Sequence, residues 1–298
     1  MSYVLTLIGA AGARDAVETM ADDLCRAIKA SRPPFWLSPD ACDITFRPAD
    51  DEALADAQAA IDAIPAGAPI DRLIQPVEGR RKRLLVADMD STIIEQECLD
   101  EVAKAAGIGE KIAAITERAM RGDLDFEDAL IERITLLRGF PEARLQGVLD
   151  RQITLTPGAR ELAATMRANG GRAVLVSGGF TFFTQAVAKR AGFDMDYANR
   201  FLFENGALAG VADPVLGGDA KLAAMEKEAK AMGLGRGEIV AVGDGANDLA
   251  MLDAAGLGVA YRAKPVVAAR AKAKINHGDL TAVLFLQGYR SAEIVARM

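Results

Sequence analysis

The sequence predicts an α/β protein: a parallel sheet flanked by helices, a helical block inserted after its first strand, and a smaller module in front. Three observations carry this. Past residue 84, short apolar runs alternate with helical patterns, and a run apolar on both faces is a strand buried in a parallel sheet. Between about 95 and 151 the strand signal vanishes and the segment reads as helices. Before residue 76 the elements follow the order βαββαβ.

Val4 to Ile8 is a short apolar strand, followed by a helix from about Ala13 to Ala30 with its apolar residues on one face. Phe35-Trp36-Leu37 and Ile44-Thr45-Phe46 read as strands separated by the turn formers Ser38-Pro39-Asp40. An alanine-rich helix from about Glu52 to Ile64 ends at Pro65-Ala66-Gly67, and Ile70 to Ile74 is the last strand. The order is that of a ferredoxin-like module, with Phe35 and Trp36 expected in its core. Glu78-Gly79-Arg80-Arg81-Lys82-Arg83 then breaks the pattern as a linker. Its consecutive basic residues are read as a solvated lead-in to the next strand and not as a nucleic-acid patch. The module is therefore placed at 1–76 and the larger unit at 77–298.

In that larger unit Leu84-Leu85-Val86-Ala87, Ala173-Val174-Leu175-Val176, Ile239-Val240-Ala241-Val242 and the shorter Leu257 to Ala260 are the strands of a Rossmann-like parallel sheet. Pro157 lies where the first turn of a helix begins, and Asn169-Gly170-Gly171 ends that helix. Arg200 to Glu204 and Ala207 to Val211 flank Asn205-Gly206, a strong hairpin signal. The helical block at about 95–151 breaks at Gly107, Gly109, Gly122 and Gly139-Phe140-Pro141, and its place after the first strand makes it a candidate cap.

Composition narrows the function. The 298 residues carry a formal charge of −7, which argues against phosphate-backbone binding, and 51% hydrophobic with 26% charged residues is ordinary for a folded chain. Cys25, Cys42 and Cys98 are too few and too scattered for a disulfide framework or a zinc site, so a reducing, cytoplasmic setting is expected. No apolar run comes near the roughly 20 residues a bilayer requires, so no membrane partner is expected.

In open parallel sheets the ligand site lies beyond the carboxyl ends of the strands. The residues there are polar: Asp88-Met89-Asp90-Ser91-Thr92, Ser177-Gly178-Gly179, and Gly243-Asp244-Gly245-Ala246-Asn247-Asp248, with Lys221 before a helix leading back to the third strand. Two acidic clusters meeting at one sheet edge form a hard oxygen site suited to Mg²⁺. A carboxylate such as Asp88 can attack a phosphoryl group, and Asp90 can protonate the leaving alkoxide and later activate water. Ser177 and Lys221 can hold non-bridging oxygens, while Gly178 and Gly179 let the backbone approach the phosphate with free N–H groups at a helix start. A calcium loop is discarded, because Ser91-Thr92 lacks the required acid and glycine. A dinucleotide fingerprint fails because Asp248 stands at its third glycine, and no Walker sequence exists. His277 is the sole histidine and reads as a surface or turn residue, which argues against a histidine triad or phosphohistidine chemistry; Cys98 reads as a buried structural thiol.

These motifs, from about 84 to the C-terminus, resemble the haloacid dehalogenase superfamily of phosphatases, and within it the branch that hydrolyses O-phosphoserine. The resemblance implies Asp88 as nucleophile and Asp90 as general acid/base. It implies Mg²⁺ at Asp88, the Asp90 carbonyl and Asp244, with Asp248 supporting through water. Ser177, Gly178 and Lys221 are then phosphate ligands, with Asn247 near the phosphate. Glu97 matches the acid that meets the substrate ammonium, and Arg133 the arginine that pairs with its carboxylate; a planar guanidinium suits that task. Met120 and Phe126 would close the cap over substrate, and Met89 stands where an aromatic is commoner, its side chain expected in the core. The front module is similar to the ACT domain that such phosphatases often carry for amino-acid sensing; residues 1 to 75 carry no specific ligand motif, and a dimerisation or docking element is the alternative. The implied activity is release of serine and phosphate, the last step of serine biosynthesis. Another small phosphate ester as substrate, and a sensor whose catalysis is secondary, are the competing readings.

Overall fold

The computed structural model describes residues 1–65, 67–120 and 123–295. The first sheet is antiparallel and built from β1 (Tyr3–Gly9), β2 (Phe35–Ser38), β3 (Ala41–Phe46) and β4 (Ile70–Pro76), in the order β2-β3-β1-β4. Helices α1 (Arg14–Ala27) and α2 (Asp51–Asp62) complete the ferredoxin-like order. Asp50 caps α2 by accepting from the Ala53 N–H at 2.8 Å, satisfying one of the donors a helix start leaves free. Strand alternation divides the sheet's residues. Leu5, Leu7 and Ile44 pack under the helices with Val17 and Ile61, while Ile8, Leu37 and Ala41 join the core of the second sheet.

Two expectations fail here for physical reasons. Phe35 is 55% exposed and Trp36 only half-buried, because β2 is an edge strand paired with β3 alone; the Arg14 guanidinium covers the Trp36 ring at 3.9 Å. Arg80, read as part of a solvated run, is largely withdrawn from solvent and bonds Asp43 at 2.6 Å, Thr6 Oγ1 at 3.0 Å and the carbonyls of Phe285 and Leu286 at 3.2 Å. A planar guanidinium can satisfy that many acceptors at once, which lets the charge be buried. Arg81 and Arg83 remain substantially exposed.

The second sheet is parallel and six-stranded: β5 (Leu84–Asp88), β6 (Arg172–Phe180), β7 (Met195–Asn199), β10 (Ile239–Gly243), β11 (Leu257–Tyr261) and β12 (Ala273–Ile275). β8 (Phe201–Glu204) and β9 (Ala207–Val211) form the separate hairpin, with Asn205 at φ 51° and Gly206 at φ 73° as its turn requires. The order β12-β11-β10-β5-β6-β7 means the chain winds outward from β5 on one side and returns to wind outward from β10 on the other. That reversal opens a crevice at the carboxyl ends of β5 and β10. Both faces are covered. Leu85 and Ala87 pack with Leu162 and Val283 on one, Leu84 and Val86 with Met225 and Met251 on the other.

The insertion after β5 consists of α3 (Cys98–Ala106), α4 (Gly109–Met120), α5 (Phe126–Leu136) and α6 (Glu142–Arg151). Gly107 at φ 74° ends α3, and Asp125 caps α5 through the Asp128 N–H at 2.8 Å. Gly122 and the Met120 side chain lie outside the described residues. The remaining helices are α7 (Ala159–Ala168), α8 (Thr181–Ala191), α9 (Ala220–Met232), α10 (Leu249–Ala254), α11 (Pro265–Arg270) and α12 (Ala282–Leu286). α7 starts two residues after Pro157, because Gly158 intervenes at φ 84°; a Cβ there would stand 2.6 Å from the Thr281 nitrogen. Among the described residues no helix is long and apolar enough to cross a membrane.

Candidate active site

β5 ends on Asp88, which is buried at the crevice. The chain then turns sharply through Ser91, a non-glycine residue at φ 54°, and this turn brings Asp90 back beside the strand ends. Asp88 accepts the Met89 N–H at 2.7 Å, and Met89 itself is fully buried, as expected. Lys221, in the first turn of α9, reaches Asp88 at 2.8 Å and Asp248 at 2.6 Å with 3% of its surface exposed. Asp248 accepts the N–H groups of Asp244 (3.1 Å) and Gly245 (2.9 Å) on its other oxygen. Gly243 is required there, since a Cβ would stand 2.4 Å from the Asp248 carboxyl carbon.

Asp88, Asp244 and Asp248 are all buried, and a carboxylate oxygen from each lies within 4.8 Å of the others. Such an all-oxygen donor set, partly neutralised by Lys221, fits a hard divalent cation. Burial pushes the Asp88 carboxyl well above its ordinary range, with Asp248 adding to the shift and Lys221 opposing it. Burial also raises Asp244, against the pull of Lys264 at 3.5 Å. Burial alone would lower Lys221, but Asp88 and Asp248 outweigh it and raise its pKa, so it stays charged.

The Asp90 carboxyl has partners other than that group of three. Its oxygens accept from the Cys98 N–H at 2.9 Å and from Ser177 Oγ at 3.2 Å, and burial followed by Glu97 pushes its pKa up to about 6. Cys98 is buried and its thiol is pushed up by burial, so it is not poised as a thiolate. Ser177 Oγ also accepts the Gly179 N–H at 2.9 Å, so this N–H, expected to be free, is already engaged. Gly178 answers a packing demand: a Cβ there would meet the Phe126 ring at 2.7 Å. Asn199, from β7, fixes the same loop by donating to the Gly178 carbonyl at 3.0 Å.

These groups open on a cleft of about 120 Å³ whose floor carries Asp88, Asp90, Ser177 and Asp244, and whose wall includes Glu97 and Arg133 from the helical insertion. Glu97 is exposed and accepts from Ser91 Oγ at 2.8 Å; Arg133 is held by its bond to the Ala129 carbonyl at 3.1 Å. Asn247 lines the cleft, and a smaller opening beside it joins Ser177, Lys221 and Asn247. Asp88, Asp90, Glu97, Arg133, Ser177, Gly178, Asp244 and Asn247 thus line one cleft, with Lys221 and Asp248 bonded to each other beside it and Lys221 reaching Asp88. Sequence reasoning missed Asp100, one turn along α3 from Glu97, and Lys264, which caps α11 at the mouth. Lys264 precedes Pro265 just beyond β11, so its place after a strand was the signal available. His277 is half-buried and outside this cleft.

The haloacid dehalogenase-like hydrolase family matches residues 85–253. A phosphoserine phosphatase of Archaeoglobus fulgidus is 41% identical over 71% of this chain, and the match spans 62% of that protein's length. A phosphoserine phosphatase of Albidiferax ferrireducens is 40% identical over 75% of this chain and 97% of its own length. The crystal structure of a HAD family hydrolase from Salmonella enterica serovar Typhi superposes with a TM-score of 0.84 at 30% identity, covering 96% of this chain and 98% of that one. With its strand order, its paired acidic strand ends and this match over more than half its length, the chain belongs to the haloacid dehalogenase-like hydrolases.

Proposed function

We propose that the chain hydrolyses O-phospho-L-serine to L-serine and phosphate through an aspartyl-phosphate formed on Asp88, with Mg²⁺ as cofactor. The observation that carries this reading is one cleft with two kinds of wall. Asp88, Asp90 and Ser177 line its floor, and an acid and an arginine, Glu97 and Arg133, stand on its side. The relatives named phosphoserine phosphatases support the choice of substrate.

Asp88 attacks phosphorus, and the ester oxygen leaves with a proton from Asp90. The raised pKa of Asp90 suits it to hold that proton near neutral pH, and its bonds to Cys98 and Ser177 hold it in place. The same group then takes a proton from the water that attacks the aspartyl-phosphate, which returns Asp88. Mg²⁺, held by Asp88, the Asp90 carbonyl and Asp244 with Asp248 behind them, would supply positive charge to the phosphoryl oxygens. Lys221 fixes the Asp88 carboxylate and, with Ser177, Gly178 and Asn247, receives the phosphate. Arg133 pairs with the substrate carboxylate and Glu97 with its ammonium, and Phe126 over Gly178 excludes water.

Phosphate release from a panel of phosphorylated small molecules, with Mg²⁺ and again with EDTA, tests the reading. Preference for phosphoserine, lost on chelation, is expected. Activity confined to other esters would remove the substrate assignment, and activity indifferent to EDTA would remove the metal.

A further inference from the structure

A second cleft, of about 270 Å³, runs along the seam where β4, an edge of the antiparallel sheet, meets β12, an edge of the parallel sheet, with α2 as its far wall. The seam is fixed by Asp71, whose buried carboxylate accepts the N–H groups of Asn276 (2.7 Å), His277 (3.0 Å) and Gly278 (2.8 Å). Alternation along β12 sends Ala273 and Ile275 into the core and leaves Lys272, Lys274 and Asn276 exposed along the cleft. The Arg72 guanidinium joins them, positioned by the carbonyls of Ile64 (2.9 Å) and Ile70 (3.5 Å).

The charges in this cleft are unequal in their commitments. Its two carboxylates are occupied, Asp71 by three backbone donors and Asp62 by the Gln58 amide at 3.1 Å. Its cations are not ion-paired: Arg72 is bonded to neutral carbonyls alone, and among the described residues Arg72, Lys272 and Lys274 have no carboxylate within ion-pair distance. In a chain of net charge −7, three cations against the two carboxylates of this concave surface leave it net positive, with the cations not ion-paired and able to meet an anion. The Asn276 side-chain amide adds a neutral donor.

We propose that this seam is a second ligand site, separate from the catalytic cleft, that takes a small polyanion: a metabolite bearing two or more carboxylate or phosphate groups. Its ligand would bridge the front module and the edge of the parallel sheet.

Calorimetric titration of the full chain with pyrophosphate and, separately, citrate tests this, with EDTA present and Mg²⁺ absent. The native chain is expected to bind at least one probe, and Lys272→Glu combined with Lys274→Glu to weaken that binding at least about tenfold, while Lys272→Arg with Lys274→Arg retains it. Both lysines are exposed and outside the catalytic cleft, so turnover of the Glu variant should stay within about twofold of native, which also reports its folding. Binding of pyrophosphate alone assigns the phosphorylated class, and of citrate alone the polycarboxylates. Equal affinity in the native chain and the Glu variant, or no binding of either probe at ~10 mM, where affinity would be too weak to count as a site, overturns the proposal.

Discussion

The floor and the wall of the catalytic cleft are built on opposite principles. At the floor, Asp88 is held by Lys221, which also bonds Asp248 behind it; all three are buried, the two acids following strands that the sheet topology fixes and the lysine reaching them from the first turn of α9. On the wall, Glu97 and Arg133 sit in a helical insertion, Glu97 accepting from Ser91 and Arg133 donating to the Ala129 carbonyl. The floor is pre-organised by its internal ion pairs, whereas the wall's charges face the cleft, where the proposed reading gives them the substrate's ammonium and carboxylate. Phosphoryl chemistry and substrate choice are therefore separable by mutation.

The largest effect is expected on the floor. Asp88→Asn keeps the shape but cannot form an acyl phosphate, so turnover of every ester should fall by more than about 10³-fold. Steady-state phosphate release checks this, and a variant retaining a tenth of native activity would remove Asp88 as nucleophile. Lys221→Met should destabilise the fold as well, because it strands Asp88 and Asp248 side by side without their cation. A loss of about 3–5 kcal/mol is expected from denaturant unfolding. A Lys221→Met chain as stable as native would mean that the pair is neutralised by protonation instead.

The wall should respond differently. If Arg133 pairs with the substrate carboxylate as proposed, Arg133→Ala removes that charge-assisted contact and kcat/KM for phosphoserine should drop about 10- to 100-fold. Turnover of p-nitrophenyl phosphate, which has no carboxylate, should change little. Equal loss for both esters would make Arg133 part of the chemistry and erase the distinction between floor and wall.

The same contrast explains what the sequence could reveal. Strands buried on both faces leave continuous apolar runs, so β5, β6, β10 and β11 and the acids that follow them were legible from residue order. β7 and β12 were not, because edge strands have a partner on one side only and here are half-polar or three residues long. Arg80 shows the limit most clearly: its basic neighbours suggested solvent, and its partner Asp43 lies 37 residues earlier, across a contact only the fold creates. Glu97 and Arg133 look like ordinary helix charges until the family resemblance is added, and Asp100 and Lys264 stood in no motif at all.

Asp90 joins the two regions, since its carboxyl bonds the floor at Ser177 and the start of the insertion at Cys98. Its smaller effect is on stability. In the metal-free chain its pKa is raised from 3.8 to about 6, first by burial and then by Glu97. Below 3.8 both folded and unfolded chains hold the proton, and the native state is at no disadvantage. As pH rises towards about 6 the unfolded chain releases its proton first, so stability falls across that window and stays lower above it. Asp90→Asn keeps an acceptor for Cys98 but has no proton to lose. Without Mg²⁺ it should be more stable than native by about 2 kcal/mol at neutral pH, with the advantage shrinking towards zero near pH 4. Denaturant unfolding of both chains at the two pH values measures this. A stability difference that does not change with pH would show that hydrogen bonding at Cys98 and Ser177, and not the buried charge, governs this corner of the site.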